Sequence, residues 1–233
     1  MAFVSNNYLS SLLHLFYPHT CEGCGSDLLY DHQFLCARCM HQLPVTGFFA
    51  KAGNPVEKIF YGRVPVKQAA AAFYFTKSSL LQHLLVQLKY KNNKEAGYFL
   101  GRMMGHALAA SERFADTDVL VPLPLHPKKE FIRGYNQATL LCEGIAEVWP
   151  KPILANAVTR TRFTETQTHQ NRLSRWQNME DVFAVTQPKL LSHKQILLVD
   201  DVITTGATLE ACGASMLEVE GVELGVVAAG YTF

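Results

Sequence analysis

Four of the six cysteines in this chain of 233 residues, Cys21, Cys24, Cys36 and Cys39, fall as two C-x2-C pairs with eleven residues between them. A tight knuckle turns the two thiols of such a pair toward one metal, and two pairs complete the tetrahedral set that zinc takes at about 2.3 Å from each sulfur. Gly23 and Gly25 supply the backbone freedom a knuckle needs. Disulfides need an oxidising compartment, and a redox C-x-x-C stands beside a βαβ unit without a second pair, so the paired spacing argues for zinc. With cysteine at all four positions no coordination site stays open, and the ion is expected to be structural. His14, His19, His32 and His41 are surplus to that set, while Cys142 and Cys212 fall within helical patterns as core thiols.

The second chemical signal is the string ILLVDDVITTGAT, residues 196–208. Its apolar run suits a central parallel strand with Asp200 and Asp201 at the C-terminal end, where open α/β sheets bind their ligands. Thr204, Thr205, Gly206, Ala207 and Thr208 then form a small polar loop that opens a helix. Its N–H groups face an anion at the helix N-terminus, the threonine hydroxyls add donors, and Gly206 permits close approach. Two adjacent acids would repel a phosphate unless they face another part of the ligand, one carboxylate accepting from ribose hydroxyls and the other supporting a Mg2+-bound arrangement.

Cations gather on two further loops. Lys128, Lys129 and Arg133 stand in VPLPLHPKKEFIRGYNQATLL, residues 121–141, between a strand and a helix. Loops at one sheet edge share one site, although a Pro-rich basic turn is by itself an ordinary solvated connection. Residues 160–180 carry Arg160, Arg162, Arg172 and Arg175 beside Glu165, and that polar stretch is too long for an idle connection in a compact domain. Lys89, Lys91 and Lys94 form a third basic group, in which capping of a helix C-terminus accounts for Lys89 and Lys91 and a phosphate or nucleic-acid contact is the alternative.

The elements that must position these residues alternate. Strands are expected at 66–75, 118–124, 196–201 and 222–230, and helices at 78–91, 95–110, 136–149 and 207–220, a pattern that argues for an α/β fold with a parallel sheet flanked by helices. The Gly- and Pro-rich stretch 45–65 reads as linker or loop. A small cysteine module over residues 1–50 would precede one larger domain over residues 51–233. At 48% hydrophobic residues the chain can bury a core, and a net charge of +1 excludes a global polyanion-binding field. The cysteine module is slightly acidic, with Arg38 against Glu22, Asp27 and Asp31, which leaves 20 basic and 17 acidic residues to the rest. The opening MAFVSNNYLSSLLHLFYP has no basic n-region or cleavage site and is too short to span a bilayer, so a cytoplasmic protein with an amphipathic lead-in helix and no membrane insertion is expected.

Residues 196–208 resemble the signature by which type I phosphoribosyltransferases bind phosphoribosyl pyrophosphate (PRPP). The string R-G-Y-N-Q at 133–137 closely matches the R-G-[FY]-N-Q motif of the ComF/GntX family, and the whole order resembles that family: cysteine knuckle, K-Y-K turn, R-G-Y-N-Q loop, polar loop, PRPP motif. The polar loop is similar to the family pattern R-x3-T-x2-Q…R-x2-N…F at Arg160, Thr164, Gln167, Arg175, Asn178 and Phe183. The resemblance implies a type I phosphoribosyltransferase-like domain with a small zinc ribbon, binding PRPP with Mg2+ and transferring phosphoribosyl to an acceptor nucleophile. It implies catalytic roles for Asp200, Asp201, Arg133 and Arg175, with Lys128 and Arg133 on pyrophosphate beside the 204–208 cradle. Arg160, Arg162, Thr164, Gln167, Arg175 and Asn178 would belong to a mobile loop that covers PRPP and excludes water. It further implies a role in DNA uptake or sugar-acid utilisation. A non-catalytic PRPP sensor, or an accessory handling single-stranded DNA beside a helicase or recombination partner, is the alternative reading.

Overall fold

The computed structural model describes residues 19–27, 29, 33–161 and 182–232, and the chain divides into two compact units, Met1–Leu43 and Pro44–Phe233. The lead-in helix expected at the N-terminus, and Arg162, Thr164, Gln167, Arg175 and Asn178 of the polar loop, lie outside the described residues. In the first unit a turn through residues 22–24 precedes the short helix α1 (Ala37–Gln42), and Phe34, Leu35 and Leu43 are buried around the cysteines.

The second unit begins with a difference from the sequence reading. The stretch 45–65, expected as linker, holds the helix α2 (Pro55–Phe60) and buries Phe48, Phe49, Val56 and Phe60. Asn54 caps it, its Oδ1 accepting from the N–H groups of Val56 (2.9 Å) and Glu57 (3.2 Å), and Pro55 takes the first helical position, where a missing N–H costs nothing. Asn54 is fully buried and its Nδ2 donates to Lys51 O (2.9 Å) and Ala69 O (2.7 Å), so one side chain starts the helix and ties it to the sheet.

The elements that follow are β1 (Val66–Tyr74), α3 (Leu80–Tyr90), α4 (Lys94–Ala109), β2 (Val119–Pro122), α5 (Pro127–Arg133) and α6 (Gln137–Val148). After them come β3 (Val158–Arg160), β4 (Phe183–Val185), α7 (Pro188–Leu191), β5 (Gln195–Ile203), α8 (Ala207–Leu217) and β6 (Glu223–Tyr231). Four strands form one parallel sheet in the order β1-β6-β5-β2, and β3 and β4 pair antiparallel by themselves. Ile196, Leu197, Leu198 and Val199 of β5 are all fully buried; consecutive strand residues point to opposite faces, so helices cover both faces of the sheet. The expected α/β sheet flanked by helices is therefore the observed one.

Both sheet edges are closed by short segments that remove a free pairing edge. Tyr74 N–H donates to Pro44 O (2.8 Å), Thr46 N–H donates to Ala72 O (3.0 Å), and Val45 bridges Phe73. On the other edge Leu120 N–H donates to Pro152 O (2.8 Å) and Leu154 N–H to Leu120 O (2.9 Å). The helices α4 and α6 pack backbone to backbone, because a Cβ on Gly101 would lie 2.4 Å from Leu141 O and one on Gly144 would lie 2.4 Å from Tyr98 O. That close approach fixes α6, and with it the turn at 133–137.

Candidate functional site

In the first unit the ligand atoms of Cys21, Cys24, Cys36 and Cys39 all lie within 4.8 Å of one another, with 3.7 Å between the sulfurs of Cys24 and Cys36. Four sulfurs at about 2.3 Å from one tetrahedral ion stand about 3.8 Å apart, so this set fits a metal such as zinc. The knuckle is held by main-chain bonds: Gly25 N–H donates to Cys21 O (2.8 Å), Cys21 N–H to Ser26 O (2.8 Å), and Cys36 N–H to Cys21 Sγ (3.2 Å). Burial works to raise the Cys21 thiol, yet the N–H donors around it, Cys36 first, outweigh burial and bring it down to about 6. Burial pushes the Cys39 thiol up instead. Cys142 and Cys212 are fully buried core thiols of the second unit, as expected, and burial pushes both of them up.

In the second unit β5 delivers Asp200 and Asp201 to the point where the chain turns into residues 204–208 and α8. Asp200 lines a hollow with Thr204, Thr205, Gly206, Ala207 and Thr208. Asp201 is only 5% exposed and forms an ion pair with Lys89 in the last turn of α3. The sequence reading gives one acid to ribose hydroxyls and the other to a Mg2+-bound arrangement, and leaves Lys89 between helix capping and a ligand contact. The two acids differ in partner: Asp200 lines the hollow, while Asp201 beside it captures Lys89 from α3. Asp201 N–H donates to Asp200 Oδ1 (2.8 Å), and burial, then the neighbouring Asp201 charge, pushes the Asp200 carboxyl well above the usual range.

Gly206 is the N-cap of α8 and lies in the left-handed region at φ 73°. A Cβ there would stand 2.6 Å from Ile59 Cγ2 and 3.1 Å from Phe60 Cε1, so glycine is required both for the turn and for the approach of α2. The same side of the loop is gripped by Arg63, whose Nη1 donates to Thr205 O (2.9 Å) and Ile59 O (3.2 Å) and whose Nη2 pairs with Glu210. Glu57 anchors α2 in turn, accepting from Gly53 N–H (2.6 Å) and pairing with Arg113. The sequence reading misses Arg63 and α2; the Asn54-Pro55 start signal was present but lay among glycines and prolines.

The R-G-Y-N-Q string builds a turn between two helices. Arg133 donates to Gln137 Oε1 and stands 5.9 Å over the Tyr90 ring; Gly134 ends α5 at φ 83° with its N–H on Glu130 O (2.7 Å). Tyr135 is buried and its hydroxyl donates to Leu88 O. Asn136 caps α6 by accepting from Ala138 N–H (2.9 Å) and donates to Leu123 O (3.0 Å). Leu123 N–H in turn donates to Val199 O (2.8 Å), which brings the turn alongside the end of β5. Lys128 and Lys129 stand exposed on α5, and Lys94 lies 5.4 Å over the Tyr135 ring. Arg160, at the end of β3, stands 5.5 Å over the Phe183 ring; burial lowers it from its ordinary range while the Asp200 charge opposes that. Burial and then the charges of Arg160, Lys128 and Lys129 pull His126 down. Arg160 therefore stands close enough to feel Asp200 on one side and the head of α5 on the other.

A parallel α/β domain with a Thr- and Gly-rich hollow and an acid at the end of a central strand, in a chain that also carries a four-cysteine knuckle, is the class of protein these features define. No family model matches the chain. Competence protein F of Haemophilus influenzae is 30% identical over 204 residues, which cover 87% of this chain and 80% of that protein. DNA utilization protein YhgH of Salmonella typhi is 28% identical over 208 residues, covering 82% of this chain and 88% of that protein. The chain belongs to the competence protein F (ComF) family. Adenine phosphoribosyltransferase from Leishmania tarentolae is a similar solved structure at 11% identity and a TM-score of 0.38, with 78% of this chain and 77% of that one covered. No helix among the described residues is long and apolar enough to cross a membrane.

Proposed function

We propose that this chain serves DNA uptake and utilisation as a protein that binds Mg2+-PRPP at the end of β5. The observation that carries the reading is the hollow at residues 204–208 with Asp200 on its wall. The α8 N-terminus and the threonine hydroxyls would take the 5-phosphate, and Asp200 would accept from a ribose hydroxyl. Lys128, Arg133 and Arg160 supply positive charge on the side where pyrophosphate would lie. Asp200 and Asp201 would hold Mg2+ carried in with PRPP, which would supply charge neutralisation for the departing pyrophosphate as its bond to ribose C1 is exchanged for one to the nucleophile. The four cysteines would hold one structural zinc. A screen of pyrophosphate release from PRPP against purines, pyrimidines and amines tests transfer; binding without turnover for any acceptor supports a sensor, and absence of PRPP binding contradicts the reading.

A second reading rests on α5, none of whose residues is buried. Phe131 is 90% exposed, Ile132 84% and nearby Tyr90 75%, among Lys128, Lys129 and Arg133. Aromatic faces interleaved with cations are the platform on which single-stranded nucleic acid stacks. The names of the relatives, competence and DNA utilization, favour it too. Binding of a labelled single strand that falls steeply with salt and is lost in the Phe131→Ala, Tyr90→Ala double variant supports this reading, and salt-independent or unchanged binding contradicts it.

A further inference from the structure

We propose that Lys89 is a positioning residue that keeps Asp200 and Asp201 from holding a divalent cation by themselves, so that the cation binds only together with the phosphoribosyl ligand; this rests on the PRPP reading above. The two carboxylates are neighbours close enough for the charge on one to act on the other. Two bare acids at the end of a central strand would attract Mg2+ or Mn2+ whether or not a substrate was present. Here the Lys89 ammonium is already on Asp201, one ion pair away from the acid that lines the hollow. With Lys89 on Asp201 the three groups offer at most one net negative charge, which is weak recompense for stripping water from a small, strongly hydrated divalent ion. A ligand that brings its own phosphate oxygens supplies the missing ligands and charge.

The lysine is not a surface side chain that happens to swing inward. The end of α3 is fixed around it: Lys91 N–H donates to Gln87 O (3.0 Å), Asn93 Nδ2 donates to Gln87 Oε1 (2.6 Å), and the Tyr135 hydroxyl closes on Leu88 O. The Lys89 side chain is 26% exposed and that of Asp201 7%, so the pair is shielded from the solvent that would otherwise weaken it. The α3 end, the 133–137 turn and the end of β5 are thus tied together, and the lysine is the charge they enclose.

The test uses the intact chain and Mn2+ as the probe, followed by electron paramagnetic resonance of the free ion in phosphate-free buffer. Mn2+ prefers oxygen ligands, so the four thiols do not compete. Without PRPP, the unsubstituted chain is expected to show no saturable Mn2+ binding. Lys89→Met is expected to bind Mn2+ about tenfold more tightly or better, Lys89→Arg to restore the original behaviour, and Asp201→Asn in the Lys89→Met background to remove the gain. Lys89→Gln, read the same way, serves if the methionine variant does not fold. Unaltered Mn2+ affinity in both neutral variants, an equal gain in Lys89→Arg, or tight Mn2+ binding by the unsubstituted chain would each overturn the proposal. Adding PRPP is expected to bring Mn2+ onto the unsubstituted chain. If that arm alone fails, the PRPP reading falls while the ligand-free arms still decide whether Lys89 neutralises the pair.

Discussion

Replacing Gly206 by Ala perturbs the cradle through two separable terms. Holding a residue with a Cβ at φ 73° costs about 1 kcal/mol. The added methyl would stand 2.6 Å from Ile59 Cγ2, well inside contact distance, and relieving such an overlap costs about 1–3 kcal/mol. The expected loss is therefore about 2–4 kcal/mol, read as a lower urea midpoint of the second unit with little change in slope. Because α2 would have to retreat from the loop, inorganic phosphate should also bind more weakly. Ile59→Ala in the same chain removes the overlap but not the backbone term, so the double variant should be less destabilised than the two single losses added together. A Gly206→Ala protein within about 0.5 kcal/mol of the original, with phosphate binding intact, would refute the claim that α2 and residues 204–208 form one rigid cradle.

Other expectations follow from the same geometry. Elemental analysis of protein purified without chelator should find about one zinc per chain; Cys36→Ser should lose it and loosen the first unit while the second keeps its cooperative unfolding. Arg63→Met removes the grip on Thr205 O and the pairing with Glu210, and should cost about 1–2 kcal/mol in urea unfolding and weaken phosphate binding; an unchanged protein would mean the contact is idle. Cys142 and Cys212, whose thiols burial pushes up, stay protonated at mildly alkaline pH and should react with a disulfide reagent only after unfolding; rapid reaction in the folded chain would contradict their burial.

The sequence carried the parts of this protein whose residue types have few alternative uses. Two C-x2-C pairs and an apolar run ending in two acids and T-T-G-x-T are legible because their spacing is local, and the β/α alternation follows from periodicity. What it concealed is what depends on contacts far along the chain. Glycine and proline made 45–65 read as linker, although Asn54 and Pro55 start a helix there. Lys89 could be read only as a helix cap or a ligand contact, because the carboxylate that captures it comes 112 positions later. The R-G-Y-N-Q string read as a ligand loop, and its spacing did not show that all five residues also spend a bond or a left-handed turn on the α5–α6 junction or on α3.

The measurement that bears most directly on the central claim is a calorimetric titration of the intact chain with Mg2+-PRPP, repeated on Asp200→Asn and with inorganic phosphate. Saturable binding at one site is expected, with a loss of about 1–3 kcal/mol in Asp200→Asn. Phosphate binding should be unchanged or slightly tighter in that variant, because a nearby negative charge is gone. No saturable binding of Mg2+-PRPP to the unsubstituted chain, or equal affinity for it in Asp200→Asn, would contradict the assignment of the β5 end as a phosphoribosyl site.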